Sequence, residues 1–306
     1  MKYKKIPNTD LNVSVISLGT WVFGGENWGG AQEKESIDAV LSALDCGVNL
    51  IDTAPIYGYG TSEEIIGKAI KGKRDKVIIA TKCGLIGEGP NIKNNLKPDS
   101  IKAELEQSLK RLQVDYIDIY QCHWPDPNTP IKETMTAMSK LKKEGKIKYI
   151  GVSNFDLELL KEIPHFADIA TLQNHLSLLE RSMEKDVIPY CKEKGIGVLT
   201  YGSLGGGILS GKYRQPKTFK SSDARSFFYK YYAGEEFKKT SKIVNLLNEI
   251  SVETNRPPNQ IALNWIWQKE GVTSAIVGCR NPEQARMNAL SATWELSEED
   301  INRLNM

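Results

Sequence analysis

Eight short apolar runs, each followed by a helical pattern, constrain this chain more than any other feature. They are Val15–Leu18, Val48–Ile51, Val77–Ala80, Tyr116–Tyr120, Tyr149–Val152, Ile169–Leu172, Gly197–Thr200 and Ser274–Val277. Apolar strands that alternate with helices form a parallel sheet whose faces the helices cover. Start and stop signals mark the helices between them. Thr129-Pro130 and Asn281-Pro282 each pair a cap with proline at the first helical position. Thr61 and Glu64 read as a capping box. Gly47, Gly145 and Gly195 fit C-terminal caps. Ahead of the first unit, Tyr3 to Val15 reads as a short hairpin turning at Asn8, Asp10 and Asn12. Eight βα units without a linker-like break predict an α/β chain, a (β/α)8 TIM barrel with an N-terminal β-hairpin, as a single domain over residues 1–306. The rival is a doubly wound sheet, whose dinucleotide fingerprint is G-x-G-x-x-G. The nearest match, Gly58 to Glu63, lacks the third glycine.

Composition narrows the function. Of 306 residues, 40% are hydrophobic and 25% charged, an ordinary globular balance. The net charge of +2 gives no electrostatic pull towards nucleic acid or an anionic membrane. No run is long and apolar enough to span a bilayer, and no apolar stretch follows the basic start Met1-Lys-Tyr-Lys-Lys, so a cytoplasmic location is expected. The five cysteines form no C-x-x-C pair, and their odd number argues against a disulfide framework. Three scattered histidines predict no metal site.

The chemistry lies at the strand ends, the face where barrels of this kind carry their sites. One strand ends at Asp52, with Tyr57 five residues on. The next ends at Lys82, and the one after it at His123. A carboxylate, a phenol, an ammonium and an imidazole thus aim at one mouth. Each alone has an ordinary structural reading; four on neighbouring strands point to proton donation to a carbonyl. An ammonium near the phenol favours phenolate and is expected to lower the Tyr57 pKa, and Asp52 would keep a buried Lys82 charged. His123 can orient the carbonyl oxygen or share the proton donation. A proton donor reduces nothing by itself, so a hydride source is implied. Two long loops, 20–33 and the aromatic-rich 211–235, leave carboxyl ends of strands and fit a lid or pocket wall.

These residues carry a family likeness. Gly47-Val-Asn-Leu-Ile-Asp-Thr-Ala-Pro-Ile-Tyr-Gly-Tyr-Gly-Thr-Ser-Glu-Glu-Ile-Ile-Gly resembles the signature of the aldo-keto reductase superfamily. Leu109-Lys-Arg-Leu-Gln-Val-Asp-Tyr-Ile-Asp resembles its second signature, and Gly151-Val-Ser-Asn-Phe, Tyr201-Gly-Ser-Leu and Leu209-Ser-Gly-Lys-Tyr resemble further blocks. Within the superfamily the chain is most similar to the bacterial branch of general stress and inositol-operon reductases. The resemblance implies NADPH-dependent reduction of a small aldehyde or ketone. Tyr57 would be the general acid, Lys82 and Asp52 would tune it, and His123 would orient substrate. Ser153, Asn154 and Gln173 would hold the nicotinamide carboxamide, and Tyr201 would stack on its ring. Thr20 and Trp21 would line the cofactor end. Leu204, Gly206 and Lys212 would approach the pyrophosphate. Gly278, Arg280, Gln284 and Asn288 would hold the adenosine end, with Arg225 in the same cofactor set. Trp21, Tyr57, His123 and Trp124 would meet substrate.

Several positions also make sense unaided. Asn281-Pro282 opens a helix beside Arg280, so N–H groups and a guanidinium would converge on an anion such as a 2′-phosphate, favouring NADPH. Ser153-Asn154 could serve as a helix cap as well. The chain departs from many relatives at Leu176-Ser177, Gly202-Ser203, Met287 and Gly278. Two other readings share the residues: an NADPH-binding regulatory subunit like the channel β subunits, which Leu209-Ser-Gly-Lys-Tyr and the stretch from Ser221 to Arg225 also resemble, and a polyol or inositol dehydrogenase running in reverse. The resemblance leaves the oligomeric state open.

Overall fold

A computed structural model describes residues 1–306. In chain order its strands are β1 Tyr3–Lys5, β2 Asn12–Ser14, β3 Ile16–Gly19, β4 Leu50–Asp52, β5 Ile78–Cys83, β6 Leu85–Ile86, β7 Lys93–Asn94, β8 Ile117–Cys122, β9 Ile147–Ser153, β10 Thr171–His175, β11 Gly197–Tyr201 and β12 Val272–Gly278. The helices are α1 Glu33–Asp45, α2 Thr61–Ala69, α3 Pro98–Leu112, α4 Ile131–Lys143, α5 Leu157–Glu162, α6 Val187–Lys194, α7 Ala224–Phe227, α8 Gly234–Thr254, α9 Pro258–Gln268, α10 Pro282–Ala289 and α11 Glu298–Asn305.

Eight strands close a barrel in the order β3-β4-β5-β8-β9-β10-β11-β12, every pair parallel, with β12 returning to β3. All eight predicted strands are present. All eight extend further towards their carboxyl ends than their apolar runs, and Asp52, Ser153, His175 and Tyr201 are polar residues that finish four of them. The predicted hairpin forms from β1 and β2. Its Ile6, Leu11 and Val13 join Leu50, Ala80, Ile119, Leu199 and Ile276 in one buried cluster inside the barrel. The hairpin therefore plugs the amino-terminal end. A larger cluster lies between the barrel and its helices.

The period of two along each strand then decides what lies above that plug. Two residues beyond Leu50 stands Asp52, beyond Ala80 stands Lys82, beyond Ile119 stands Gln121, and beyond Leu199 stands Tyr201. The apolar floor hands over directly to a polar layer.

Three of the cap readings need correction. Gly60, not Thr61, occupies the N-cap of α2, and no side chain caps it; the Thr61 hydroxyl donates back to the Gly58 carbonyl instead. Pro130 takes the N-cap of α4, and the Thr129 hydroxyl goes to Asp126. The Asn281 cap holds: its side chain accepts from the Gln284 N–H at the start of α10. Asp156, not Ser153-Asn154, caps α5. Gly195 closes α6 in the left-handed region. No helix is long and apolar enough to cross a membrane.

Candidate active site

Lys82 is fully buried at the end of β5, and its ammonium has three partners. Asp52 Oδ1 is 2.7 Å away, the Thr53 carbonyl oxygen 2.8 Å and the Tyr57 hydroxyl 3.3 Å. Burial lowers the Lys82 pKa, and the neighbouring Asp52 opposes that shift. The other oxygen of Asp52 accepts from Gln173 Nε2 at 2.6 Å. The carboxylate is thus paired on one side with a cation and on the other with an amide, as a buried charge requires.

Tyr57 projects from the turn between β4 and α2. Its ring lies 6.1 Å from Trp21 at 26° and 5.9 Å from His123 at 81°. The turn is held from outside by a close approach of two glycines. A Cβ on Gly24 would stand 2.4 Å from the Gly58 nitrogen, and a Cβ on Gly58, at φ +62°, would stand 2.5 Å from the Gly24 carbonyl oxygen. Only glycine at both positions lets the first loop press on the turn that carries Tyr57. Below, the Ser62 hydroxyl donates to Thr20 Oγ1 and pairs with Thr53 Oγ1.

Burial pushes the Tyr57 phenol well above its ordinary pKa, and Asp52 adds to the rise. This corrects the expected lowering. In the chain alone the phenol keeps its proton, which is the state a proton donor needs at neutral pH. The ammonium at 3.3 Å matters once that proton leaves. Burial and Lys82 together hold His123 well below the usual imidazole range, so it is neutral. A neutral imidazole can donate one N–H to an oxygen. It has no imidazolium proton to share at neutral pH.

Above this floor opens a cavity of about 810 Å³. Asp52, Tyr57, His123, Thr20, Trp21, Ser153, Asn154, Gln173, Tyr201, Leu204, Gly206, Lys212, Arg225, Gly278, Arg280, Gln284, Asn288 and Trp124 all line it. Of the predicted site residues only Lys82 does not, because it is enclosed behind Tyr57 and Asp52.

Placement in the wall does not leave every side chain free. The Thr20 hydroxyl donates to the Asp52 carbonyl oxygen at 2.9 Å, so Thr20 contributes wall rather than a ligand group. The Ser153 hydroxyl donates to the Gln173 carbonyl oxygen at 2.8 Å. Asn154, with φ +62°, donates to the His123 carbonyl oxygen and accepts from the Tyr201 hydroxyl at 2.7 Å. The amide set expected around a nicotinamide is therefore held together by its own members. Arg225 is gripped by both oxygens of Asp223 and by the Tyr213 hydroxyl. The Arg280 guanidinium donates to the Trp28 carbonyl oxygen, and its backbone N–H donates to Gln284 Oε1. Together with the Asn281 cap, that contact uses two of the donors expected to face an anion.

His175 lies in no motif of the sequence, yet it belongs to the β10 strand end beside the cavity. It stacks on Tyr201 at 5.2 Å and 19°, directly opposite it in register on the next strand. A Cβ at Gly202 would lie 2.3 Å from His175 Nε2, so glycine there makes room for the imidazole. The period-two step from Gln173 to His175 is the one sequence signal for this inward position. The β6–β7 hairpin was also missed. Its Leu85, and Ile92 just before β7, line the cavity.

The residues present fit a nicotinamide dinucleotide. They supply a flat phenol ring in the wall, amide groups beside it, and three cations, Lys212, Arg225 and Arg280, on the loops after β11 and β12. No cluster of metal-ligating side chains is present.

Comparison with known proteins agrees. The sequence profile of the aldo/keto reductase family matches residues 15–306. The chain is 43% identical over 308 residues to Aldo-keto reductase YhdN of Bacillus subtilis, covering all of this chain and 93% of that protein. It is 35% identical over 318 residues to the NADH-specific methylglyoxal reductase of Escherichia coli, covering 97% and 96%. Its fold superposes on a glycerol dehydrogenase from Gluconobacter oxydans with a TM-score of 0.91 and 37% identity, over 99% and 94% of the two chains. It superposes on a Klebsiella pneumoniae aldo-keto reductase in complex with NADPH with a TM-score of 0.79 and 29% identity, over 100% and 95%. A barrel with this floor, matched along nearly its whole length by that profile and by relatives above 30% identity, makes the chain a member of the aldo/keto reductase family.

Proposed function

We infer that this protein is an NADPH-dependent carbonyl reductase, with residues 1–306 working as one barrel domain and Tyr57 as the general acid. The observation that carries the reading is the Lys82 ammonium, fully buried and shared between Asp52 and the Tyr57 hydroxyl at the floor of the cavity. A bound nicotinamide dinucleotide supplies the hydride. Ser153, Asn154 and Gln173 would hold its carboxamide, and Tyr201, backed by His175, would meet its ring. Lys212 and Arg280 would balance the charge of its phosphates, while Arg225, paired with Asp223, would line the same stretch. His123 donates an N–H to the carbonyl oxygen and fixes its direction. Tyr57 gives its proton to that oxygen. The phenolate left behind faces Lys82, whose charge Asp52 maintains, and the proton returns from solvent.

Arg280 supports the choice of NADPH, since a guanidinium that gives one donor to the Trp28 carbonyl oxygen keeps others for a 2′-phosphate. The NADH-specific relative shows that the family admits the other choice, so the preference is tested directly. Fluorescence titration is expected to show tighter NADPH than NADH binding. Arg280→Met is expected to weaken NADPH about tenfold while leaving NADH within twofold, the scale of one lost charge-assisted contact. Equal loss for both cofactors overturns the Arg280 assignment. Alcohol oxidation is the second reading, favoured by the likeness to a glycerol dehydrogenase. It uses the same groups in reverse, with the Tyr57 phenolate taking the alcohol proton. Rates measured in both directions at neutral pH decide between them.

A further inference from the structure

Helix α3 buries Ile101, Leu105, Ser108 and Leu112, a stripe at helical spacing. Glu104 stands on that stripe, three residues after Ile101 and four before Ser108. The pattern calls for an apolar side chain there, because a carboxylate is costly to bury without partners. Glu104 has no ion pair, since Arg111 on the same helix is committed to Glu63 at 2.7 Å. The other titratable groups around it are the Cys83 thiol and the Tyr120 phenol, and neither is a cation. Its pKa rises to about 7, chiefly through burial.

Its hydrogen bonds show what the acid does there. Both oxygens accept from the Gly84 N–H, each at 3.1 Å, and Oε1 also accepts from the Ser100 hydroxyl at 3.2 Å. That N–H belongs to the peptide group that follows Cys83. The carbonyl of the same peptide accepts from the His123 N–H at 2.9 Å. β5 and β8 pair as far as Cys83 and Cys122, so this contact is the last rung between the strand that delivers Lys82 and the strand that delivers His123. Glu104 grips the rung from behind.

The backbone does not supply this hold by itself. At Gly84 φ is +91°, and a Cβ there would stand 2.3 Å from Leu96 Cδ2, so the chain bends out of the ladder at a residue that only glycine can fill. The Gly84 N–H is then turned towards α3, where it needs an acceptor, and Glu104 is the one it has. A peptide held only through its carbonyl can rock about that bond; held at both ends it cannot. Lys82 precedes this peptide by one residue and His123 is joined to it across the ladder. A tilt therefore moves the ammonium and the imidazole together, relative to Tyr57.

We propose that Glu104 is a positioning residue for the carbonyl reduction: from α3 it holds the peptide between Cys83 and Gly84 and so fixes Lys82 and His123 against Tyr57. The inference rests on the reductase reading above. Glu104 does not line the cavity and touches none of the reacting groups, so it acts only through the peptide it holds.

The test compares Glu104→Gln, which keeps an oxygen for the Gly84 N–H, with Glu104→Leu, which is of similar size and offers no acceptor. Glu106→Leu, at a half-exposed site on the same helix, is the control. Three quantities are measured: NADPH affinity by fluorescence, kcat and KM on a panel of small aldehydes that includes butanal and benzaldehyde, and amide hydrogen exchange. Glu104→Leu should bind NADPH within twofold of the unaltered protein. Its kcat should fall by about ten- to hundredfold, the scale of a small misplacement of catalytic groups, and the Gly84 and His123 amides should exchange faster. Glu104→Gln should keep kcat within about threefold and leave exchange unchanged, and Glu106→Leu should match the unaltered protein. Glu104→Asp keeps the charge but stops one methylene short, so it should lower kcat several-fold and serves where Glu104→Leu does not fold. A lower melting temperature with kcat per folded molecule unchanged gives Glu104 a purely structural role and overturns the proposal. A Glu104→Gln rate as low as that of Glu104→Leu also overturns it, because the hydrogen bond would then not be what matters. No turnover of any aldehyde by the unaltered protein overturns the reductase reading itself; turnover that Glu104→Leu does not slow overturns the Glu104 assignment alone.

Discussion

At Lys82 one buried nitrogen answers to three oxygens, and its surroundings decide its charge. Desolvation favours loss of its proton, while Asp52 at 2.7 Å favours keeping it. Removing the cation leaves Asp52 buried with only amide partners. Lys82→Met is therefore expected to destabilise the fold by roughly 3–5 kcal/mol, the usual cost of an orphaned buried charge. Lys82→Met with Asp52→Asn should recover much of that stability in a denaturant titration and none of the activity. Full recovery of activity in the double variant contradicts the role given to the ammonium. The same residue shows how far the sequence could be read. Its position at a strand end was legible, as were Asp52, Tyr57 and His123. The state of Tyr57 was not: the expected lowering counted the cation and left out the burial, which dominates.

At the scale of elements, the apolar runs located every barrel strand but stopped short where the chain turns polar. Asp52, Lys82, Gln121 and Gln173 belong to strands yet look like loop, because they form a polar layer at the floor of the cavity and not an apolar core. The Thr61–Glu64 capping box failed for a local reason. Gly60, in the left-handed region, takes the cap position, and the acid that matters is the buried neighbour Glu63. Glu63 accepts from Thr81 at 2.6 Å and from Arg111 at 2.7 Å, so the two stretches that carry the family likeness meet through it. The β6–β7 hairpin and His175 stayed hidden because their places depend on contacts from other loops and strands. Helix α3 also carries Glu104, whose two oxygens accept from the Gly84 N–H just past Lys82, both at 3.1 Å. Burial raises its pKa to about 7. The native state thus binds this proton more tightly than the unfolded chain. Its contribution is complete below the ordinary glutamate pKa and is lost as pH rises through about 7. The loss is on the order of 2–3 kcal/mol for a partly accessible group. Unfolding measured from pH 4 to pH 8 should show that decline, and Glu104→Gln should remove it; an unchanged slope contradicts the assignment.

Across the whole molecule, loops from opposite ends of the chain meet over the cavity. The Ala224 N–H donates to the Asn27 carbonyl oxygen at 2.7 Å, and Arg280 reaches the Trp28 carbonyl oxygen. Trp28 packs edge-on to Trp21 at 5.3 Å and leans on Tyr229 at 6.3 Å. The aromatics that the sequence assigned to a lid or wall thus form one clasp between the first and seventh loops. Trp28→Ala is expected to speed amide hydrogen exchange in both 20–33 and 211–235, with little change in the barrel strands; a change confined to the first loop contradicts the clasp. The fold's central task is to carry Tyr57, Lys82 and His123 to one point on a rigid barrel. The measurement that tests this most directly is the reductase rate of Tyr57→Phe with NADPH, with cofactor binding followed in parallel. The account predicts unchanged NADPH affinity and a rate lower by about 10²–10⁴, the contribution of a positioned general acid. Full reductase activity in Tyr57→Phe would contradict it.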